Sequence, residues 1–221
     1  MLDLQVSIEA HPPPSGVLAS LSLDAGDEAE VGAAFEAIAS RWPAIDALVN
    51  LVGFTRERIP VETMVAEEWD SIIAGNLRSA FLISRAAAAG LRASAAAGRQ
   101  PAMVLTSSTF GVRVSRSGYG PYAASKAGVI GLCKALSAEW APEVRVNCLA
   151  PGLIQTAFLT GGTGRSPKQS GLDQHEFLKT VPLGRIGKPL DITGPALFLL
   201  SEAASYITGQ TLHVNGGSFQ A

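Results

Sequence analysis

The chain is poor in the residues that signal metals, disulfides and polyanion binding. It has two cysteines, Cys133 and Cys148, without C-x-x-C spacing, and three scattered histidines, His11, His175 and His213. Neither a disulfide framework nor a zinc site is expected from that inventory. Charge of either sign is scarce, with 17 Lys plus Arg against 19 Asp plus Glu and a formal net charge of -2. A nucleic-acid partner is therefore not expected. The most apolar stretch, Ala80 to Leu91, is interrupted by Arg85 and falls short of the roughly 20 residues a membrane span needs. No membrane partner is expected either. Lys and Arg are absent before Arg41, and Pro12 to Pro14 break any early apolar run, so a secretory signal is not supported and the cytoplasm is the expected compartment.

What the chain does have is apolar mass: 47% of its 221 residues are hydrophobic, enough for the core of one globular domain. Short aliphatic runs at Leu4 to Ile8, Val17 to Leu23, Asp46 to Leu51, Ala102 to Ser107, Val144 to Leu149 and Gln210 to Val214 read as strands. Helical patterns fill the gaps at Glu28 to Arg41, Ala66 to Ala97, Tyr119 to Trp140 and Leu190 to Leu200. That alternation is the signature of βαβ units, and one Rossmann-like, doubly wound α/β domain over residues 1–221 accounts for it. Residues 155–181 are rich in glycine and polar side chains and read as a substrate lid, because loops of that length are usually functional or disordered.

Two helices carry polar residues where apolar ones belong. Trp69, Ile72, Ile73, Leu77, Ala80 and Phe81 recur at helical spacing, and Asn76 falls inside their stripe. A buried amide needs a partner, since leaving it unpaired costs on the order of 1 to 3 kcal/mol; a brace to the backbone and a catalytic role both meet that need. On the next helix Tyr122 and Lys126 stand one turn apart at the head of a stripe continued by Val129, Ile130, Cys133, Leu136 and Trp140. An ammonium about 5 Å from a phenol at an effective dielectric near 20 favours the phenolate by roughly 3 kcal/mol, which lowers the tyrosine toward the range useful for proton transfer. A surface lysine whose stem packs on the ring has the same spacing. Thr106, Ser107, Ser108 and Thr109 cluster where a strand ends, the edge at which open α/β sheets bind ligands.

Taken together and in order, Asn76, T-S-S at 106–108, Y-A-A-S-K at 122–126 and A-P-G-L-I-Q-T at 150–156 resemble the short-chain dehydrogenase/reductase family. L-V-N-L-V-G at 48–53, P-L-G-R-I-G-K-P at 182–189 and V-N-G-G at 214–217 extend the resemblance over nearly the whole chain. It implies an NAD- or NADP-dependent oxidoreductase that interconverts a carbonyl and an alcohol on a small-molecule substrate, commonly as a homodimer or homotetramer. Tyr122 would be the general acid/base and Ser108 would orient the substrate oxygen, with Ser107 the alternative if the register slips. Lys126 would lower the tyrosine and hold the nicotinamide ribose, and Asn76 would fix a water beside Lys126. Asp24 would contact adenine. Asn50, Leu51, Val52 and Gly53 would lie by the adenosine ribose, and Pro151, Gly152, Ile154 and Thr156 would line the nicotinamide.

The departures are as specific as the matches. The family's N-N-A-G is N-L-V-G here, and its opening strand with a T-G-x-x-x-G-x-G turn is not found before Val17. The expected sheet therefore lacks the family's first strand and helix, with Leu4 to Ile8 a candidate to fill the vacancy. Glu9, if it ends a strand, would repel a 2′-phosphate and favour NAD. Two alternatives accompany the enzyme: a degenerate relative without dinucleotide binding that acts as an interaction or scaffold subunit, and an epimerase or dehydratase of the extended group that shares Y-x-x-x-K.

Overall fold

A computed structural model describes residues 1–160, 162 and 174–220. Its strands are β1 (Leu2–Asp3), β2 (Leu21–Ser22), β3 (Ala47–Asn50), β4 (Ala102–Thr106), β5 (Arg145–Pro151) and β6 (Thr211–Val214). Its helices are α1 (Gln5–Ala10), α2 (Glu28–Arg41), α3 (Ala66–Ile73), α4 (Ser79–Ala96), α5 (Gly120–Trp140), α6 (Gln174–Leu178) and α7 (Pro189–Leu200). The result is a Rossmann-like α/β arrangement in which every strand pair is parallel.

Local chemistry explains the best-defined elements. Asp27 caps α2 by accepting from the amides of Ala29 and Glu30 at 2.8 and 3.0 Å, while Glu28 and Glu30 in the first turn and Arg41 in the last suit the helix dipole. Pro121 opens α5, where its missing N–H is harmless. β5 is buried from Val146 to Ala150, as a central parallel strand covered on both faces should be.

The pairing breaks into two sheets: β1 pairs with β2, and β3, β4, β5 and β6 form the other in that order. Both contribute to one core, in which Leu23, Val31 and Phe35 pack with Leu82, Leu91, Met103, Val129 and Val146. The expected strand Leu4 to Ile8 is corrected: Gln5–Ala10 is helical and Leu2–Asp3 is the strand. Alternating Leu4, Val6 and Ile8 mimic a half-buried strand, but Val6 is 45% exposed, so the alternation buries little. Glu9 consequently ends no strand; it accepts a hydrogen bond from Gln5 along α1, and the acid at the end of β1 is Asp3.

The middle of the expected lid, residues 161 and 163–173, lies outside the described residues. Its near flank is the 3-10 turn Ala157–Thr160 and its far flank is α6. Among the described residues, no helix is long and apolar enough to cross a membrane. The carboxyl ends of β3, β4 and β5 bring loops 51–54, 107–109 and 152–156 to one edge, and the site is built there.

Candidate active site

Tyr122 lies in the first turn of α5, and the helix turns Lys126 to the same buried side. Tyr122 is 8% exposed and Lys126 3%. The ammonium Nζ donates to the carbonyl of Thr106 at 3.0 Å, tying α5 to the end of β4. It lies 5.7 Å from the centre of the Tyr122 ring.

This geometry corrects the expected direction of the tyrosine shift. Burial pushes the Tyr122 phenol up to about 12, with the Ser108 hydroxyl opposing and the neighbouring Tyr119 phenol adding to the rise. Burial also brings Lys126 down to about 8. The amine, 5.7 Å from the ring centre, engages the Thr106 carbonyl, and desolvation sets the direction at the phenol.

The two serines divide. Ser107 is 3% exposed and turns inward, donating from Oγ to the carbonyl of Lys126 at 2.7 Å. Ser108 is extended at φ -164° and ψ 160°, and its Oγ accepts from the amide of Phe110 at 3.2 Å. Gly111 completes the clamp on α5: a side chain there would place its first carbon 2.6 Å from Ser107 Oγ and 2.8 Å from the Lys126 carbonyl carbon. The register therefore gives Ser108 to the phenol and Ser107 to the helix backbone. Sequence spacing offered no signal for the clamp, because Ser107 and Gly111 meet α5 only through the fold.

Asn76 is 1% exposed and sits in a π-helical segment, Ala74–Arg78, between α3 and α4. Its Nδ2 donates to the carbonyls of Phe54 and Ile72 at 2.9 and 2.8 Å, and its Oδ1 accepts from the Phe54 amide at 3.2 Å. The expected brace to the backbone is present. A side chain on Gly53 would put its first carbon 2.7 Å from Asn76 Oδ1 and 2.8 Å from Lys126 Nζ, so these two polar atoms converge over that glycine.

The remaining expected residues spread along the same edge. Asn50 accepts from the amide of Val52 at 3.0 Å, Leu51 is 63% exposed, and Val52 packs against the core. Pro151 ends β5, Gly152 donates to the Val214 carbonyl at 3.0 Å, Ile154 bridges to Gly187, and Thr156 leads into the turn Ala157–Thr160. Asp24 is exposed beyond β2, where its Oδ1 accepts from the Gly26 amide at 2.8 Å.

A family model described as Enoyl-(Acyl carrier protein) reductase matches residues 6–218. The chain belongs to the short-chain dehydrogenase/reductase family. Among relatives within that family, the 3-oxoacyl-(acyl-carrier-protein) reductase FabG of Chlamydia muridarum is 43% identical over 188 residues, 85% of this chain and 71% of that protein. The crystal structure of a 3-ketoacyl-(acyl-carrier-protein) reductase from Brucella melitensis with NADH matches at TM-score 0.79 and 32% identity, covering 90% of this chain and 77% of that one. A gluconate 5-dehydrogenase from Burkholderia cenocepacia with NADP and tartrate matches at TM-score 0.79 and 30% identity, covering 90% and 74%.

A short-chain reductase of this kind implies a nicotinamide cofactor, and the residues around Lys126 fit its nicotinamide-ribose end. Gly53 leaves a recess that a Cβ would fill, with one cationic donor and one carbonyl acceptor at its floor.

Proposed function

We propose that the chain reduces a carbonyl to an alcohol, and runs the reverse, as an NAD- or NADP-dependent oxidoreductase in which Tyr122 is the general acid/base. The observation that carries this is the gathering of the Ser108 hydroxyl, the Tyr122 phenol and the Lys126 ammonium at one sheet edge. The bound nicotinamide supplies the hydride. Tyr122 Oη gives its proton to the substrate oxygen as the carbonyl carbon accepts hydride, and Ser108 Oγ donates a hydrogen bond to the same oxygen. The Lys126 ammonium balances the phenolate left behind. Lys126 Nζ and the Asn76 carbonyl hold the ribose recess over Gly53, and Pro151, Gly152, Ile154 and Thr156 line the nicotinamide side. Asn50, Leu51, Val52 and Asp24 serve the adenosine end.

Tyr122→Phe tests this directly. It removes the proton donor and leaves the ring packing, so ketone-dependent loss of NADH or NADPH absorbance should fall about 10²- to 10⁴-fold. Retained turnover would overturn the assignment. In the same reading the chain acts as one Rossmann-like unit over 1–221 with 155–181 as its lid, works in the cytoplasm and self-associates as a homodimer or homotetramer. Exposed Ala124, Ala127 and Gly131 along α5 support the last point, since they permit close approach of a second helix.

A further inference from the structure

We propose that the ketone taken by this site carries a flat apolar group, an aryl ring or its equivalent, next to its carbonyl; the inference rests on the Tyr122 chemistry above and names the substrate class for it. Three separate connections each deliver an aromatic ring to the phenol. Phe110 comes from the turn Thr109–Gly111 after β4, Tyr119 from the residue before α5, and Phe158 from the turn after β5. Their ring centres lie 6.4, 6.4 and 5.9 Å from that of Tyr122, with planes inclined by 69°, 61° and 53°. Phe110 and Tyr119 also meet edge-on at 4.9 Å.

Beneath these rings Phe54 and Ile72 are 4% and 3% exposed, and Phe110, Tyr119 and Phe158 are only partly buried. The inner layer is therefore packing, and the outer three rings form the wall that a substrate meets. A planar group between inclined rings makes edge-to-face contacts on several sides at once. Within this cluster the polar side-chain atoms are the hydroxyls of Tyr119 and Tyr122, and Tyr122 is committed to the reacting oxygen. A polyhydroxylated ketone would bring several hydroxyls against ring faces, and each one stripped of water without a partner weakens binding roughly tenfold or more. A straight alkyl chain would fill the space with less contact per atom.

The experiment compares three ketones, each with NADH and with NADPH: ethyl benzoylacetate, its straight-chain counterpart ethyl acetoacetate, and 5-ketogluconate. The expected order places the aryl ketone about tenfold above the straight-chain one and about 100-fold above the sugar acid in kcat/KM. Phe158→Ala should lower kcat/KM for the aryl ketone at least tenfold, through KM, and by several-fold more than for either of the other two; Phe158→Leu should fall between. A preference for either of the other ketones, or an aryl preference that survives Phe158→Ala and Phe110→Ala, would overturn the proposal. Saturation-transfer NMR on the Tyr122→Phe protein separates this outcome from failure of the underlying chemistry. Transfer to the phenyl protons, lost when Phe158→Ala is added, supports the ring wall even if no ketone is reduced; equal transfer with and without Phe158 would sink it.

Discussion

The two adjacent serines follow β4 directly with one side chain on each side of the backbone, and that alternation assigns their roles. Ser107 reaches the Lys126 carbonyl at 2.7 Å, so Ser107→Ala removes a tie on the helix that carries both Tyr122 and Lys126. The expected result is a kcat about 3- to 10-fold lower with KM little changed, and a stability loss of about 1 kcal/mol, read by steady-state kinetics and thermal unfolding. Lys126 offers a pH test. Burial brings its folded value down to about 8 from 10.5, so above pH 8 the unfolded chain holds a proton that the folded chain has released, and stability rises with pH. The buried thiols Cys133 and Cys148 are pushed up to about 12 and about 11. Above about pH 9 they keep protons that the unfolded chain loses, as Tyr122 does above about 10, and the slope reverses. Stability should therefore climb by only a few tenths of a kcal/mol up to a maximum just below about pH 9, because the thiols already offset most of the Lys126 gain there, and then decline more steeply. Urea unfolding across pH 7.5 to 10.5 should show this maximum, and Lys126→Met should erase the rising limb; a rise unchanged in that variant would assign it elsewhere.

The π-helical turn Ala74–Arg78 is the element that turns Asn76 from a residue on a stripe into a brace with two bonds to Phe54 and one to the Ile72 carbonyl. Asn76→Ala removes three buried hydrogen bonds at once, which costs about 1 to 3 kcal/mol; chemical denaturation measures it, and a neutral result would mean that water replaces the amide. The need for such a partner was legible in the sequence because one polar residue interrupted an apolar period. The extra residue of the π-turn was not, since a widened turn leaves the stripe nearly intact on either side. Helix α2 was legible to its ends because Asp27, Glu28, Glu30 and Arg41 mark both termini chemically. The first strands were not: Leu4, Val6 and Ile8 alternate, yet tertiary packing takes β1 from Leu2 and Asp3 and coils the next residues. The order of the motifs pointed to the Ser108, Tyr122 and Lys126 on which the proposed chemistry rests, whereas the ring wall around Tyr122 depends on which loops meet and is invisible along the chain. Phe81 and Trp69, counted with the buried stripe, are 44% and 37% exposed, because period alone does not say how wide the covered face is.

Across the whole molecule, the two sheets share one core while their facing strands are not hydrogen-bonded to each other. Among the described residues β3 pairs only with β4, which leaves its other edge without a strand partner there, and Val49 on it is 38% exposed. An open apolar edge recruits other chains without limit, because each added strand presents a new edge. Association through the small residues of α5 is different in kind: a two-fold contact between identical helices closes on itself and stops at a defined size. The two routes can be separated by mutation. Val49→Lys puts a charge on the edge strand and should suppress concentration-dependent growth in light scattering while a discrete dimer or tetramer persists. Ala127→Glu puts a charge at the centre of the proposed helix contact and should reduce that discrete species to monomer, leaving edge-driven growth intact. If Ala127→Glu leaves the discrete species unchanged, α5 is not its contact surface, and the small residues there serve only packing within the chain.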